Sequence, residues 1–183
     1  MPSNFSLKST PINDPRPSGF RPRRSPRLAC HIPIRVFGKN QEGRTFYEDS
    51  STLVIAREGG LIRLAQTPAP NLHIYIHCHP TNQGGRFRVV GEYSSSKSLH
   101  RYWGVELLKP GENLWGVEFP ELSEEDGRAV RVVLACPNCR RRERTFMDEA
   151  QIEFLHERGG VIRECPTCKV SALWKEVPYF EEA

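Results

Sequence analysis

The sequence predicts a mainly β protein, in which a small antiparallel barrel precedes a smaller module that carries one helix. Three observations predict it. Short runs with strand character recur between residues 28 and 108, separated by clusters of Gly, Pro, Asn and Ser. A single helical pattern occurs later, between residues 148 and 158. Two copies of one four-residue unit, Cys-Pro-x-Cys, lie on either side of this helix.

The predicted barrel begins with a strand over residues 28–36. Its apolar residues alternate with less apolar ones, which is the period of a half-buried strand. Further β patterns follow at residues 52–56, 61–64, 72–78, 86–93 and 102–108. Six short strands at this spacing, with no helical pattern between them, indicate an antiparallel barrel. A turn at residues 110–118 is predicted to close one barrel end with Leu114, Trp115 and Val117.

The C-terminal module has strand patterns at residues 129–135, 161–164 and 170–177. Its helix is predicted to start after Asp148, whose carboxylate can accept from the first-turn amides, with Gln151 at the reciprocal capping position. Gly159 offers a left-handed stop. Ile152 and Leu155 share one face of this helix, and we expect that face to pack over the cysteine units.

The two cysteine units, Cys136-Pro137-Asn138-Cys139 and Cys165-Pro166-Thr167-Cys168, predict a metal site. Each unit places two thiols on one tight turn. Four thiolates are the ligands of a closed tetrahedral zinc site, which has no open position for a substrate. We therefore predict structural Zn²⁺, bound by Cys136, Cys139, Cys165 and Cys168 in a zinc ribbon carrying one helix. Redox chemistry and disulfides are the alternatives, although a redox Cys-x-x-Cys is expected at the start of a helix in a βαβ unit.

Composition and charge narrow the range of functions that the chain can have. The chain has 183 residues and a formal net charge of +4, with arginines clustered in the first 27 residues and at residues 140–144. No apolar run reaches the roughly 18 residues that span a bilayer. Residues 1–26 lack the apolar core of a signal peptide, which predicts a cytoplasmic protein with reduced thiols. No Ser/His/Asp set, paired carboxylates or phosphate-binding glycine loop stands out, so we expect no enzyme.

Residues 23–120 resemble the PilZ domain family. Arg23-Arg24-Ser25-Pro26-Arg27, directly before the first strand, is similar to the Arg-x-x-x-Arg arm that wraps cyclic di-GMP in that family. Arg23 and Arg27 match the two motif positions. A guanidinium can pair bidentately with a phosphate or a guanine edge, and it can stack on the base. The resemblance implies a small barrel that binds cyclic di-GMP through Arg23, Arg24 and Arg27.

The second PilZ motif, Asp/Asn-x-Ser-x-x-Gly, corresponds to residues 54–59 of this chain. Gly59 matches it, so the resemblance adds Gly59 to the ligand-binding candidates. Val54 and Ala56 stand where the pattern has polar residues, and neither side chain can hydrogen-bond to a guanine edge. The resemblance therefore implies a degenerate cyclic di-GMP receptor-like barrel.

Together these features predict a non-enzymatic signalling or adaptor protein that contacts a protein partner, with cyclic di-GMP as the candidate ligand of the barrel. The alternative is a nucleic-acid-binding zinc-ribbon protein whose arginine clusters contact phosphates. The predicted organisation is a disordered basic arm at residues 1–22, a PilZ-like barrel at 23–120, a linker at 121–128, a zinc-ribbon-like module at 129–178 and a tail at 179–183.

Overall fold

In a computed structural model, the protein is described over residues 24–69, 72–93, 100–109, 111, 113–127 and 129–179. The predicted arm at residues 1–22 and Arg23 lie outside these ranges. The described residues form one α-helix, α1 (Glu149–Arg158), and a short 3₁₀ helix at Glu124–Gly127. Their strands are β1 (Leu28–Ala29), β2 (Pro33–Lys39), β3 (Thr45–Ala56), β4 (Gly59–Arg63), β5 (His73–Cys78), β6 (Gln83–Tyr93), β7 (Tyr102–Leu107), β8 (Val130–Ala135), β9 (Arg142–Met147), β10 (Val161–Glu164) and β11 (Ser171–Glu176).

Six strands close into an antiparallel barrel. Going round it, β2 pairs with β3, then β4, β7, β6 and β5 follow, and β5 pairs with β2 again. The predicted mainly β fold with a small antiparallel barrel is thus confirmed. One strand is longer than predicted: β3 begins at Thr45, and its polar outward residues hide it from a search for apolar runs.

The barrel interior is filled by alternate residues of all six strands, including Ile34, Ile55, Ile62, Ile76 and Phe87. The turn after β7 contributes to the same core, as the sequence predicts. Leu114 and Trp115 are buried in it, and Val117 packs against it. The indole N–H of Trp115 donates to the carbonyl of Ala56 at 3.0 Å, so this turn is fixed to the end of β3.

The prediction of one strand over residues 28–36 is wrong, because the chain forms β1 and β2 with a break between them. Thr52 causes the break. Its hydroxyl donates to the carbonyl of Cys30 and accepts from the N–H of Ile32 at 2.9 Å. A side chain of β3 therefore takes the place of ladder hydrogen bonds. Pro33, which has no N–H to donate, then occupies the first position of β2.

β8 joins the C-terminal strands to the barrel. It pairs in parallel with β1, where Leu28 lies opposite Arg131, and antiparallel with β9 and β11. β10 pairs with β11. β9 is absent from the sequence-based prediction because Arg142–Met147 shows no alternation of apolar and polar residues. Among the residues that the structure describes, β8 is its only strand partner.

A second hydrophobic cluster lies between the barrel and the C-terminal strands. The barrel side contributes Ala29, Leu53, Val54 and Tyr102. The C-terminal side contributes Val130, Val132, Leu134, Cys136, Ile152, Leu155, Cys165 and the fully buried Trp174. Ile152 and Leu155 therefore pack beside two of the cysteines, as the helix pattern predicts. The barrel and the C-terminal region share this core.

The acidic segment expected as a linker contains a buried ion pair. The carboxylate of Asp126 is fully buried, and the guanidinium of Arg131 is only 4% exposed. Arg131 Nε donates to Asp126 at 2.6 Å, and the N–H and hydroxyl of Ser123 donate to it at 2.7 and 2.9 Å. Burial opposes ionisation of Asp126, but these hydrogen bonds outweigh burial and hold its pKa below the usual value.

The predicted capping of α1 is confirmed. Asp148 accepts from the N–H of Gln151 at 2.8 Å, and the Gln151 side chain accepts from the N–H of Asp148 at 2.9 Å. Gly159 ends the helix with a φ of 66°. In the part of the chain that the structure describes, no helix combines the length and the apolar character needed to cross a membrane.

Three glutamates spaced one turn apart on α1 connect the helix to the barrel region. Glu149 pairs with Arg27. Glu153, which is buried, accepts from the N–H of His100 at 3.0 Å, and Glu157 lies 2.8 Å from Nε2 of the same histidine. The spacing of four residues puts the three carboxylates on one helix face. These contacts fix the position of α1 against β1 and the start of β7.

Candidate ligand groove and metal centre

The two cysteine units fold into matching turns. The N–H of Arg140 donates to the carbonyl of Cys136, and the N–H of Lys169 donates to the carbonyl of Cys165, both at 2.9 Å. The two donating residues have φ values of 62° and 57°. This left-handed conformation costs a residue with a side chain about 1 kcal/mol or more. Its presence at equivalent places in both turns gives the two cysteine units the same backbone shape.

The turns bring the four predicted ligands, Cys136, Cys139, Cys165 and Cys168, into one cluster. Their Sγ atoms lie within 4.8 Å of one another. The Sγ atoms of Cys136 and Cys168 are 3.9 Å apart, and those of Cys139 and Cys165 are 3.6 Å apart. A tetrahedral ion with metal–sulfur bonds of about 2.3 Å requires sulfur–sulfur distances of about 3.8 Å. The cluster could therefore hold one tetrahedral metal ion.

The protein environment favours the thiolate form of Cys165. Burial raises the pKa of this thiol, but hydrogen bonds from the backbone amides of Cys168 and Thr167 outweigh burial and lower the pKa to about 6. A thiolate is the form that ligates a metal ion. Cys136 and Cys165 are buried, whereas Cys139 and Cys168 are more accessible. Cys136 and Cys165 thus belong to the second hydrophobic cluster, Cys168 packs against it, and Cys139 is the most accessible of the four thiols.

The arginine cluster at residues 140–144 lies next to these thiols. Arg140, Arg141, Arg142 and Arg144 are all exposed. Arg141 donates to the hydroxyl of Thr167 at 2.8 Å, which ties the first cysteine turn to the second. Four thiolates around a divalent ion carry a formal charge of −2, so neighbouring arginines reduce the net negative charge of the site.

A groove of about 570 Å³ lies where the residues before β1 cross the barrel. Its volume is within the range of about 300–1,000 Å³ that is common for small-molecule sites. We call it the arm groove. It is lined by Arg24, Ser25, Arg27 and Glu149, and by residues 54, 56, 58–61, 90–93 and 104–106 of the barrel.

The arm groove brings together three of the four predicted ligand residues. Arg24 and Arg27 approach from the segment before β1, and Gly59 lies at the start of β4. The fourth, Arg23, lies outside the described residues. The two arginines are more than 30 residues from Gly59 in the sequence. Their proximity in the structure depends on the antiparallel pairing of β1 with β3.

Each described arginine of the groove has a glutamate partner. Arg24 lies 3.3 Å from Glu58, and its side chain is 74% exposed. Arg27 pairs with Glu149, and both side chains are mostly buried, at 22% and 16% exposure. Arg27 Nε is buried and has no hydrogen-bond acceptor among the described residues. Because this nitrogen is closed to solvent, a ligand in the groove could reach it only after the Arg27 side chain moves.

Backbone packing accounts for the glycine at position 59 without any role in ligand binding. A Cβ atom at this position would lie 2.3 Å from the carbonyl oxygen of Val105, so only glycine allows β4 and β7 to approach this closely. Gly91, also in the groove, differs, because a Cβ atom there would meet no atom within 4 Å. Val54 is 2% exposed and belongs to the second hydrophobic cluster. A polar residue at position 54 would therefore face apolar neighbours.

Sequence reasoning did not identify Glu58 and Glu149 as groove residues. Glu58 stands inside the segment compared with the second family motif, and its proximity to Arg24 depends on the β3–β4 turn. Glu149 is 122 residues from Arg27 and reaches it only because α1 packs beside β3 and β1. Its position in the first turn of a capped helix was the one available signal, since carboxylates there often contact cations or amides.

No family model matches the sequence, and no curated protein matches it. The resemblance to PilZ domains therefore stays a prediction that depends on the residues given above.

Proposed function

We propose that this protein is a non-enzymatic cytoplasmic adaptor that binds cyclic di-GMP in the arm groove and passes the binding signal to its C-terminal module. In this proposal the four cysteines hold a structural Zn²⁺. A protein partner then recognises the C-terminal module.

The observation that carries the proposal is that Arg24 and Arg27 both line one groove. A guanidinium offers planar, charge-assisted hydrogen bonds to a phosphate or to the O6/N7 edge of guanine. Gly91 also lines the groove, and a Cβ atom there would meet no atom within 4 Å, so a flat base could lie close to the backbone at this position.

The proposed ligand competes with the protein's own carboxylates. Glu58 and Glu149 neutralise Arg24 and Arg27 in the structure described here. An anionic dinucleotide would replace one or both of these contacts. Because Arg24 is largely exposed, its pair with Glu58 is weak, and Arg24 is the cation that a ligand captures at least cost. Arg27 is the residue through which binding would affect α1.

Glu149 gives the proposed signal a route. It lies in the first turn of α1, and α1 also contributes Ile152 and Leu155 to the core beside Cys136 and Cys165. A ligand that withdraws Arg27 from Glu149 would remove one of the contacts that hold α1 to the barrel region. The C-terminal module would then gain freedom to change its position or its partner surface.

Zinc is proposed for the cysteine cluster on the chemistry of its donors. Four thiolates with sulfur–sulfur distances of 3.6 and 3.9 Å suit a tetrahedral ion of the size of Zn²⁺. Four protein ligands complete its coordination, so the metal would stabilise the module and would bind no substrate.

Calorimetric titration of the full chain with cyclic di-GMP tests the proposed function. Saturable binding that weakens at least about tenfold in Arg24→Ala supports it. Arg35→Ala is the matched control, since Arg35 pairs with Asp49 on the outer surface of β2 and β3 and does not line the groove. Absence of binding to the folded wild-type protein, or equal losses in the two variants, would reject it.

The nucleic-acid alternative rests on the exposed arginines at residues 140–142 and 144. In this case binding to generic RNA or DNA should fall steeply with salt, because each neutralised phosphate releases counterions. Arg140→Ala combined with Arg144→Ala should then weaken binding, and Arg24→Ala should weaken it as well, because both arginine clusters contact phosphates in this alternative.

A further inference from the structure

Three aromatic side chains form a row on the outer surface of the barrel. Tyr47, Phe37 and Tyr75 occupy paired positions on the adjacent strands β3, β2 and β5. Their exposures are 75%, 41% and 42%, while neighbours along these strands, including Phe46, Val36 and Ile76, belong to the barrel core. The rings of Phe37 and Tyr75 have centroids 6.3 Å apart. We call this set the aromatic row. None of its members lines the arm groove.

Glycine at position 84 gives the row part of its shape. A Cβ atom at residue 84 would lie 2.1 Å from the hydroxyl oxygen of Tyr75 and 2.5 Å from the adjoining ring carbon. The Tyr75 ring therefore lies over β6, in the space that a side chain at position 84 would occupy. The strand covers one side of the ring, and the 42% exposure of Tyr75 shows that the remaining surface stays available to solvent.

Positive charge surrounds the aromatic row. Arg86 lies opposite Tyr75 on β6, so it extends the row, and it forms no ion pair among the described residues. Lys39 follows Phe37 by two residues on the same face of β2. Two further cations on this surface, Arg35 and Arg88, pair with Asp49 and Glu106. Four cations thus face two carboxylates, and His73 and His77 flank Tyr75 on β5.

From this arrangement we propose that the aromatic row is a binding surface for single-stranded nucleic acid. Bases stack on exposed aromatic rings, and the backbone phosphates follow neighbouring cations. The 6.3 Å between the Phe37 and Tyr75 ring centroids is wider than the spacing of stacked bases, so the row suits bases that have been unstacked from one another. An apolar protein ligand would not require the surplus of positive charge that Arg86 and Lys39 supply. This surface is separate from the arm groove, and the proposal is independent of cyclic di-GMP.

Fluorescence anisotropy with the full chain tests the proposal. The probes are labelled oligouridylate and oligothymidylate of about 12 nucleotides, which is within the range covered by a single β-barrel module. We expect binding at low salt that weakens as salt rises. Comparable binding of both probes indicates recognition of bases and phosphates, and preference for oligouridylate indicates an added contact to the 2′-hydroxyl. Either result supports the proposal that the aromatic row binds single-stranded nucleic acid.

Position 47 separates stacking from simple apolar contact. Tyr47 is highly exposed, so its replacement should leave the fold intact. We expect Tyr47→Phe to retain binding and Tyr47→Leu to lose at least about fivefold in affinity, because leucine keeps the apolar bulk but removes the ring. Ile162→Ala is the matched control, since Ile162 is 73% exposed on β10 and lies outside the row.

Three results would overturn the proposal. They are the absence of binding of either probe at low salt, equal affinity of the Tyr47→Leu and wild-type proteins, and loss of binding in an Arg140→Ala/Arg144→Ala variant without loss in the row variants. A concentration-dependent dimer that Tyr47→Leu disrupts, with no oligonucleotide binding, would assign the row to self-association instead.

Discussion

Arg27, two positions after Ser25 in the segment before β1, forms an ion pair with Glu149 in the first turn of α1. The two side chains are mostly buried, and they join the two parts of the molecule that flank the second hydrophobic cluster. This pair therefore has a role in stability as well as its proposed role in signalling.

Glu149→Gln should lower the free energy of unfolding by about 1–3 kcal/mol, because it leaves the Arg27 guanidinium without a countercharge in a largely buried position. Urea denaturation measures this change. In a double-mutant cycle with Arg27→Ala, we expect a coupling energy of at least about 0.5 kcal/mol. Glu58→Gln is the control, and its effect should be close to zero because Arg24 is exposed. Similar losses in the two glutamate variants would contradict the assignment.

Glu58→Gln should strengthen cyclic di-GMP binding severalfold, if the arm groove is the ligand site. The substitution removes the carboxylate that competes with the ligand for Arg24 and reduces negative charge in the groove. Calorimetric titration measures the dissociation constant. Asp49→Asn, which frees Arg35 outside the groove, should leave it unchanged. Weaker binding to the Glu58→Gln protein would argue against Arg24 as a ligand contact.

Two glycines of the arm groove should differ in how their replacement by alanine affects stability. Gly59→Ala should destabilise the fold by about 1–3 kcal/mol, because its Cβ atom would collide with the carbonyl of Val105. Gly91→Ala should leave the unfolding midpoint nearly unchanged, since its Cβ atom meets open space. Thermal unfolding distinguishes the two. A Gly59→Ala protein as stable as wild type would show that β4 and β7 can separate without cost.

Cys165→Ser should abolish stoichiometric metal binding and loosen the packing around Trp174, because metal binding and folding are coupled in small metal modules. Elemental analysis of protein prepared without chelator measures the metal, and tryptophan emission reports the packing. Cys30→Ser is the control, since Cys30 lies outside the four-cysteine cluster. Protein that contains no metal in its wild-type form would remove the basis for the proposed zinc site.

Asp126→Asn should cost about 3 kcal/mol or more, because it leaves the buried Arg131 without its countercharge. It should also change the response to acid. The pKa of Asp126 is lower in the folded protein than its ordinary value, so its contribution to stability is present above about pH 4 and is lost as the pH falls through the folded-state pKa. Urea titrations between pH 2 and 7 should show a shallower acid loss in Asp126→Asn. If the free energy of unfolding fell with pH as steeply in Asp126→Asn as in the wild type, other carboxylates would be responsible for the loss of stability in acid.

Features set by neighbouring residues could be predicted from the sequence. The cap of α1 depends on Asp148, Gln151 and Gly159, which lie within one short segment, and the cysteine spacing implies a four-thiol cluster. The break after β1 could not be predicted, because the hydroxyl that causes it belongs to Thr52. β9 was missed since its residues lack apolar alternation and take their conformation from β8.

The same distinction applies to the arm groove. Arg24 and Arg27 could be chosen as candidates because basic residues before a strand form a local pattern. The carboxylates that pair with them could not be predicted, since Glu149, for example, reaches Arg27 only because α1 packs against distant strands. The burial of Val54 likewise depends on the second hydrophobic cluster, to which both parts of the chain contribute.

The position of β1 between β3 and β8 has a consequence for synthesis of the chain on the ribosome. The six barrel strands all lie between Pro33 and Leu107, so they can pair before β8 has left the ribosome. β1 obtains its second neighbour, and Arg27 its carboxylate, only when β8 and α1 emerge. A nascent chain from which only the residues up to 107 have left the ribosome would therefore carry a barrel whose arm groove is still unfinished.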